Sequence, residues 1–160
     1  MPVILRRGTE ADARAAADLW LCARKAAIDV IPPPVHRDEE VRAWFASYVV
    51  RSTDLWVGED PPGTLVGILV LAGPWLEQLY VEPTRTGRGI GARLVELAKR
   101  ERPDGLRLWT FPSNGGAQRF YERHGFVETR RTEADNEEGA PDILYVWSGG
   151  GVSRMDSASA

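Results

Sequence analysis

Val81-Glu82-Pro83-Thr84-Arg85-Thr86-Gly87-Arg88-Gly89-Ile90-Gly91 is the stretch on which the fold turns. Before it, Trp75 to Val81 reads as a strand, and Pro83 ends it. After it, Ala92 to Arg100 reads as a helix with Leu94, Val95, Leu97 and Ala98 toward the buried side. Gly87, Gly89 and Gly91 thus fall in a strand-to-helix turn. Glycine lets the backbone approach a ligand closely and adopt φ > 0. The first amides of the helix lack intrahelical acceptors and lie at the positive end of its dipole. Such a nest suits a phosphate or pyrophosphate, and Arg85 and Arg88 flank it. The spacing is neither G-x-G-x-x-G nor a P-loop, because no G-K-[ST] follows. Tight packing at a glycine-rich turn is the competing explanation.

Upstream, Val3-Ile4-Leu5 reads as a short strand. Thr9 can cap a helix whose stripe is Ala16, Leu19, Trp20, Ala23 and Ala27, within Ala13 to Ile28. Pro32-Pro33-Pro34 stops it, and Asp38 opens a second helix with Val41, Trp44, Phe45, Tyr48 and Val49 as its stripe. Leu55-Trp56-Val57 and the apolar run Leu65 to Leu71 flank the turn Asp60-Pro61-Pro62-Gly63 and read as a hairpin.

Downstream, Leu106 to Phe111 alternates as a strand, and Asn114 to His124 is a helix stopped by Gly125. Phe126 to Thr132 and Ile143 to Trp147 are the last strands. The order is strand, two helices, three strands, helix, strand, helix, two strands. That is a single mixed α/β (α+β) domain over residues 1–147, with a Gly- and Ser-rich tail at 148–160 expected to be disordered.

Bulk properties narrow the function. A length of 160 residues suits one domain, and a net charge of -3 argues against broad electrostatic capture of nucleic acid. The single cysteine, Cys22, excludes an intrachain disulfide and is expected in the core. His36 and His124 form no metal-ligand spacing, so no metal is expected. No apolar run approaches a membrane span, no signal-type segment opens the chain, and a cytoplasmic location is the expectation.

A second motif runs Asn114-Gly115-Gly116-Ala117-Gln118-Arg119-Phe120-Tyr121-Glu122-Arg123-His124-Gly125-Phe126. Ala117, Phe120, Tyr121 and His124 share one helix face. Phe120 reads as a core aromatic, whereas the Tyr121 hydroxyl needs a partner or a ligand. Together the two motifs resemble the GNAT superfamily of N-acetyltransferases. The first resembles its pyrophosphate loop, V-x-P-x-x-[RQ]-x-x-G-x-G/A. The second resembles its N-x-x-A-x-x-F-Y-x-x-x-G-F signature. The element order from Val3 to Trp147 matches the family fold. One departure is that the family's Arg or Gln falls on Thr86, leaving Arg85 or Arg88 to supply the charge.

The resemblance implies acetyl-coenzyme A (acetyl-CoA) as co-substrate, with β-strand backbone at Leu79, Tyr80 and Val81 pairing with the pantetheine arm. The segment Arg85, Thr86, Gly87, Arg88, Gly89, Ile90 and Gly91 would hold the pyrophosphate. Asn114, Ala117 and Phe120 would lie near the cofactor. Tyr121 would donate a proton to the leaving thiolate. The acceptor would be a small-molecule or peptide amine, and the family frequently forms homodimers.

An alkyl amine of pKa about 10.4 costs roughly 4–5 kcal/mol to neutralise at pH 7. A base lowers that barrier, and Glu77 is the candidate, acting through a water. A solvent-facing strand residue is the equal alternative for Glu77. A backbone amide near Leu79 would stabilise the oxyanion. The stretch Glu133 to Glu138 would border the acceptor and attract a cation, or be a solvated loop. Trp20, Trp44 and Trp109 are expected in the core rather than in an acceptor pocket. Two other functions fit the same residues: a catalytically weak acyl-CoA-binding module, and a nucleotide-phosphate enzyme such as a kinase. The missing P-loop lysine counts against the second.

Overall fold

The computed structural model describes residues 2–133 and 136–150. The elements follow the order read from the sequence: β1 (Ile4–Arg7), α1 (Ala13–Ala26), α2 (Asp38–Trp44), α3 (Val50–Ser52), β2 (Asp54–Glu59), β3 (Leu65–Ala72), β4 (Trp75–Val81), α4 (Ile90–Glu101), β5 (Leu106–Thr110), α5 (Gly115–Arg123), β6 (Val127–Thr132) and β7 (Asp142–Trp147). A π-type turn at Phe45–Val49 joins α2 to α3, so the expected second helix is one rod with a bulge. The expected tail lies outside the described residues from 151 on, as do Ala134 and Asp135 of the acidic loop. Among the described residues no helix is long and apolar enough to cross a membrane.

All seven strands form one sheet in the order β1-β2-β3-β4-β5-β7-β6. Every pairing is antiparallel except β4 with β5. β3 is buried along nearly its whole length because helices cover both of its faces. On one face α4 and α5 bring Leu94, Val95, Ala98 and Tyr121 against Leu69, Leu71, Leu108 and Tyr145. On the other, α1, α2 and the π-type turn bring Ala16, Trp20, Val41 and Phe45 against Val57, Ile68 and Val70.

Two irregularities position the site. In the β3–β4 pairing Leu71 lies opposite Leu76 and Val70 opposite Gln78, so Glu77 has no partner. A β-bulge of this kind bends its strand and re-aims a side chain. Just there β4 and β5 part company, their pairing being limited to Trp75 with Arg107. Beyond the bulge, the β5-facing edge of β4 runs beside a gap.

The second irregularity is Gly67 in the middle of β3. A Cβ there would stand 3.1 Å from Leu94 and 3.2 Å from Ile90. Its absence lets the first turn of α4 settle directly on the sheet.

Candidate active site

The gap between β4 and β5 is a cleft of about 510 Å³. Leu79, Tyr80 and Val81 line one wall; Leu108, Trp109 and Thr110 line the other. Asn114, Ala117 and Tyr121 of the α5 segment also line it, as does Thr86 from the glycine turn. Residues from both motifs thus meet around one space, although almost thirty positions separate them in sequence.

The glycine turn has the backbone shape its sequence suggests. Gly87 has φ +78° and Gly89, the N-cap of α4, has φ +83°, both left-handed. The amides of Gly89, Ile90 and Gly91 take no hydrogen-bond acceptor from among the described residues. Ile90 itself is buried and anchors the helix, so only its amide is available. Gly91 permits a close approach, since a Cβ there would lie 3.3 Å from the Phe120 ring. Phe120 packs behind the turn, edge-to-face with Tyr121 at 5.1 Å, and is not part of the cleft lining.

The two flanking arginines separate. Arg85 is tied back to Asp60, with Nη1 3.1 Å from the carboxylate Oδ2 and Nη2 3.1 Å from the main-chain oxygen. Arg88 is exposed and pairs with no carboxylate among the described residues. Arg85 therefore braces the turn from behind, and Arg88 is the cation left facing outward.

Tyr121 is fixed by the way α5 ends. The Phe126 amide donates to Tyr121 O at 3.0 Å and the Gly125 amide to Glu122 O at 3.1 Å, with Gly125 at φ +88°. This is a Schellman motif, and its usual apolar contact is the Tyr121–Phe126 ring pair at 5.4 Å. The other end of α5 is capped by Asn114, whose Oδ1 accepts from the Ala117 amide at 3.1 Å. Asn114 and Gly125-Phe126 thus hold the helix that carries the phenol.

Burial pushes the Tyr121 hydroxyl well above its ordinary pKa, with the neighbouring Tyr80 adding to the shift. It stays protonated at any working pH. Glu77 stands on the bulge at the rim of the cleft, and desolvation raises its carboxyl pKa. A carboxylate shifted in that direction is a stronger base than an ordinary one.

Three expectations of burial are corrected. Cys22 is exposed because it follows Asp18 by one helical turn on the solvent side of α1. Trp109 is 39% exposed, stacked on Trp75 at 6.1 Å with the Arg130 guanidinium 5.6 Å from its ring, and it lines the cleft rather than the core. Trp44 is only partly buried, while Trp20 is buried as expected and donates from Nε1 to Gln78 at 2.8 Å. Gln78 and Thr110 are cleft residues that the sequence did not single out. Their signal would have been the bulge, which depends on register with β3.

A family model described as an acetyltransferase (GNAT) domain matches residues 51–128, which contain both motifs and the splayed strands. Those residues form an acetyltransferase domain of the GNAT type. Among curated GNAT relatives, the peptidyl-lysine N-acetyltransferase YjaB of Salmonella typhimurium is 37% identical over 82 residues. That match takes in 51% of this chain and 56% of the relative, so the chain spans about half the length of the curated proteins it matches. The solution structure of apo-form YjaB from Escherichia coli superposes with a TM-score of 0.75 at 25% identity, covering 94% of this chain and 100% of that one. The structure of yncA from Salmonella typhimurium with its cofactor acetyl-CoA has the same GNAT fold, with a TM-score of 0.67 at 17% identity. It covers 92% of this chain and 94% of that chain.

Proposed function

We propose that this protein transfers the acetyl group of acetyl-CoA to a primary amine by direct attack on the thioester. One observation carries the reading: the strand gap opened at Glu77 is lined both by Tyr121 and by Thr86 of the glycine turn, which leads directly into the α4 amides that have no acceptor among the described residues. A diphosphate joined to a linear, amide-bearing arm that ends in a thioester matches that sequence of surfaces. The amides of Gly89, Ile90 and Gly91, with Arg88, would take the diphosphate. The free edge of β4 at Leu79 to Val81 would pair with the arm.

The chemistry then needs three things from the chain. The amine nitrogen forms a bond to the acetyl carbon, and its surplus proton passes to Glu77 or a water held by it. The developing oxyanion takes a hydrogen bond from the β4 backbone near Leu79. As the carbon–sulfur bond breaks, the electron pair leaves with sulfur, and Tyr121 donates a hydrogen bond to it. A thiolate of conjugate-acid pKa about 8.5 is a weaker base than this phenolate. Tyr121 therefore stabilises the sulfur mainly as a donor, and the thiol's final proton is replenished from solvent.

The acceptor is an amine of a small molecule or a peptide; the Salmonella relative's name gives peptidyl-lysine for that protein. The test is release of free thiol from acetyl-CoA across an amine panel, with the acetylated amine identified by mass. Turnover with at least one amine is expected. Tight acetyl-CoA binding with no turnover on any amine would leave only an acyl-CoA-binding module. Absence of binding would remove the reading altogether.

A further inference from the structure

A second cavity, of about 480 Å³, lies between α1, α2 and the turn that includes Glu137 and Glu138. Gln78 belongs to its wall and equally to the wall of the β4–β5 cleft. The two spaces therefore meet at one side chain, the residue after the bulge. The Trp20 bond to Gln78 Oε1 holds that amide in place.

The lining has a consistent chemistry. Trp20 and Trp44 form an aromatic corner, edge-to-face with ring centroids 6.4 Å apart. Arg24 is 6% exposed and lies over the Trp20 ring at 4.9 Å. Its Nη2 donates to Pro32 O at 3.1 Å and stands 3.7 Å from Glu138, while Nε has no acceptor among the described residues. The Arg24 charge is thus answered from within the chain by Glu138. Among the described residues, the remaining ionisable groups in the wall are Glu40, Glu137 and His36. His36 bridges the two carboxylates, 3.3 Å from Glu137 and 3.9 Å from Glu40. Arg37 engages Glu40 at the start of α2: its amide donates to Oε1 at 2.8 Å, and its side chain, 77% exposed, stands 3.7 Å away.

We propose that this cavity selects the acceptor, and that the acceptor is an amine carrying a second positive charge. The inference rests on the acetyl-transfer reading above. The reacting amine passes Gln78 toward Glu77 and the thioester. The distal cation lies against Trp44, alongside His36, with Glu137 and Glu40 supplying the negative charge. An ammonium gains from an indole face and from carboxylates, whereas a methyl group of the same chain length gains only apolar contact. A neutral aromatic acceptor would use the two indoles but gain nothing from the two carboxylates.

The test compares cadaverine with pentylamine, which share a carbon chain and differ at the far end. With acetyl-CoA saturating, kcat/KM for cadaverine should exceed that for pentylamine by about tenfold or more, mostly through KM. Glu40→Gln with Glu137→Gln, both exposed positions, should reduce that ratio several-fold, and Trp44→Leu should reduce it further. Raised salt should shrink the wild-type ratio, because these carboxylates face solvent. Cadaverine, and not pentylamine at equal concentration, should also perturb tryptophan fluorescence, and Trp44→Leu should abolish the change. Equal kcat/KM for the two amines overturns the proposal while leaving acetyl transfer intact. So does a preference that survives all three substitutions. If acetyl-CoA binds but no amine turns over, the fluorescence arm still decides: no cadaverine response overturns the cavity assignment.

Discussion

Replacing Gly89 by alanine isolates the backbone shape on which anion binding depends. Gly89 has φ +83° and ψ 4°, and no atom beyond its chain neighbours lies within 4 Å of where its Cβ would stand. Alanine there meets no wall, so its cost is the left-handed backbone alone, about 1–2 kcal/mol for an L-residue. That cost has two outlets. If the turn keeps its shape, the fold loses the energy, and melting falls by about 2–8 °C for a domain of this size. If the turn relaxes, its amides lose their common aim. Coenzyme A binding then weakens by about 5- to 30-fold, at tenfold per 1.4 kcal/mol. Melting without ligand and calorimetric titration with coenzyme A together recover the whole cost. Gly89→Asn should show a smaller loss, because asparagine tolerates the left-handed region better. Gly91→Ala is the control: it carries no left-handed term and asks only that Phe120 give slightly at 3.3 Å. A Gly89→Ala protein with unchanged melting and unchanged affinity would refute the reasoning.

Other expectations follow from the same geometry. Tyr121→Phe should lower kcat by about 100- to 1000-fold, the range of a lost transition-state donor, with coenzyme A affinity nearly unchanged in calorimetry. Unchanged kcat would remove the phenol from the mechanism. Glu77→Gln should lower kcat near pH 7 by roughly a hundredfold. The deficit should close toward pH 10, where the amine supplies its own neutral form. The wild-type carboxyl, raised by desolvation, must be ionised to act, so any acidic limb it sets lies above the ordinary carboxylate range. A deficit constant across pH would assign Glu77 a structural role. Arg88→Ala should weaken coenzyme A binding and reduce its salt dependence. Arg85→Ala should instead lower stability, because Arg85 is engaged with Asp60; the reverse pattern in calorimetry and melting would exchange the two roles.

Much of this architecture is legible in the sequence because it is set locally. The three glycines, the Asn114 cap and Gly125-Phe126 act within a turn of their own positions, so their residue types announce them. The helical stripes of α1 and α4 do the same through periodicity. What the sequence hides depends on partners far along the chain. The bulge at Glu77 exists only in register with Leu71 and Val70, and the strand gap follows from it. Arg85 finds Asp60 across 25 positions, which no motif marks. Trp109 reads as core by alternation, but the gap between β4 and β5 leaves it lining an open cleft. Cys22 reads as core by residue type, although helix phase turns it to solvent.

The most direct check on the central claim is an amide chemical-shift titration by NMR with acetyl-CoA. The amides of Gly89, Ile90 and Gly91 and those at Leu79 to Val81 should shift together on a single binding curve, while β1 and the outer face of α2 stay still. Saturable binding that moves other amides and leaves the α4 turn and the β4 edge unmoved would contradict it.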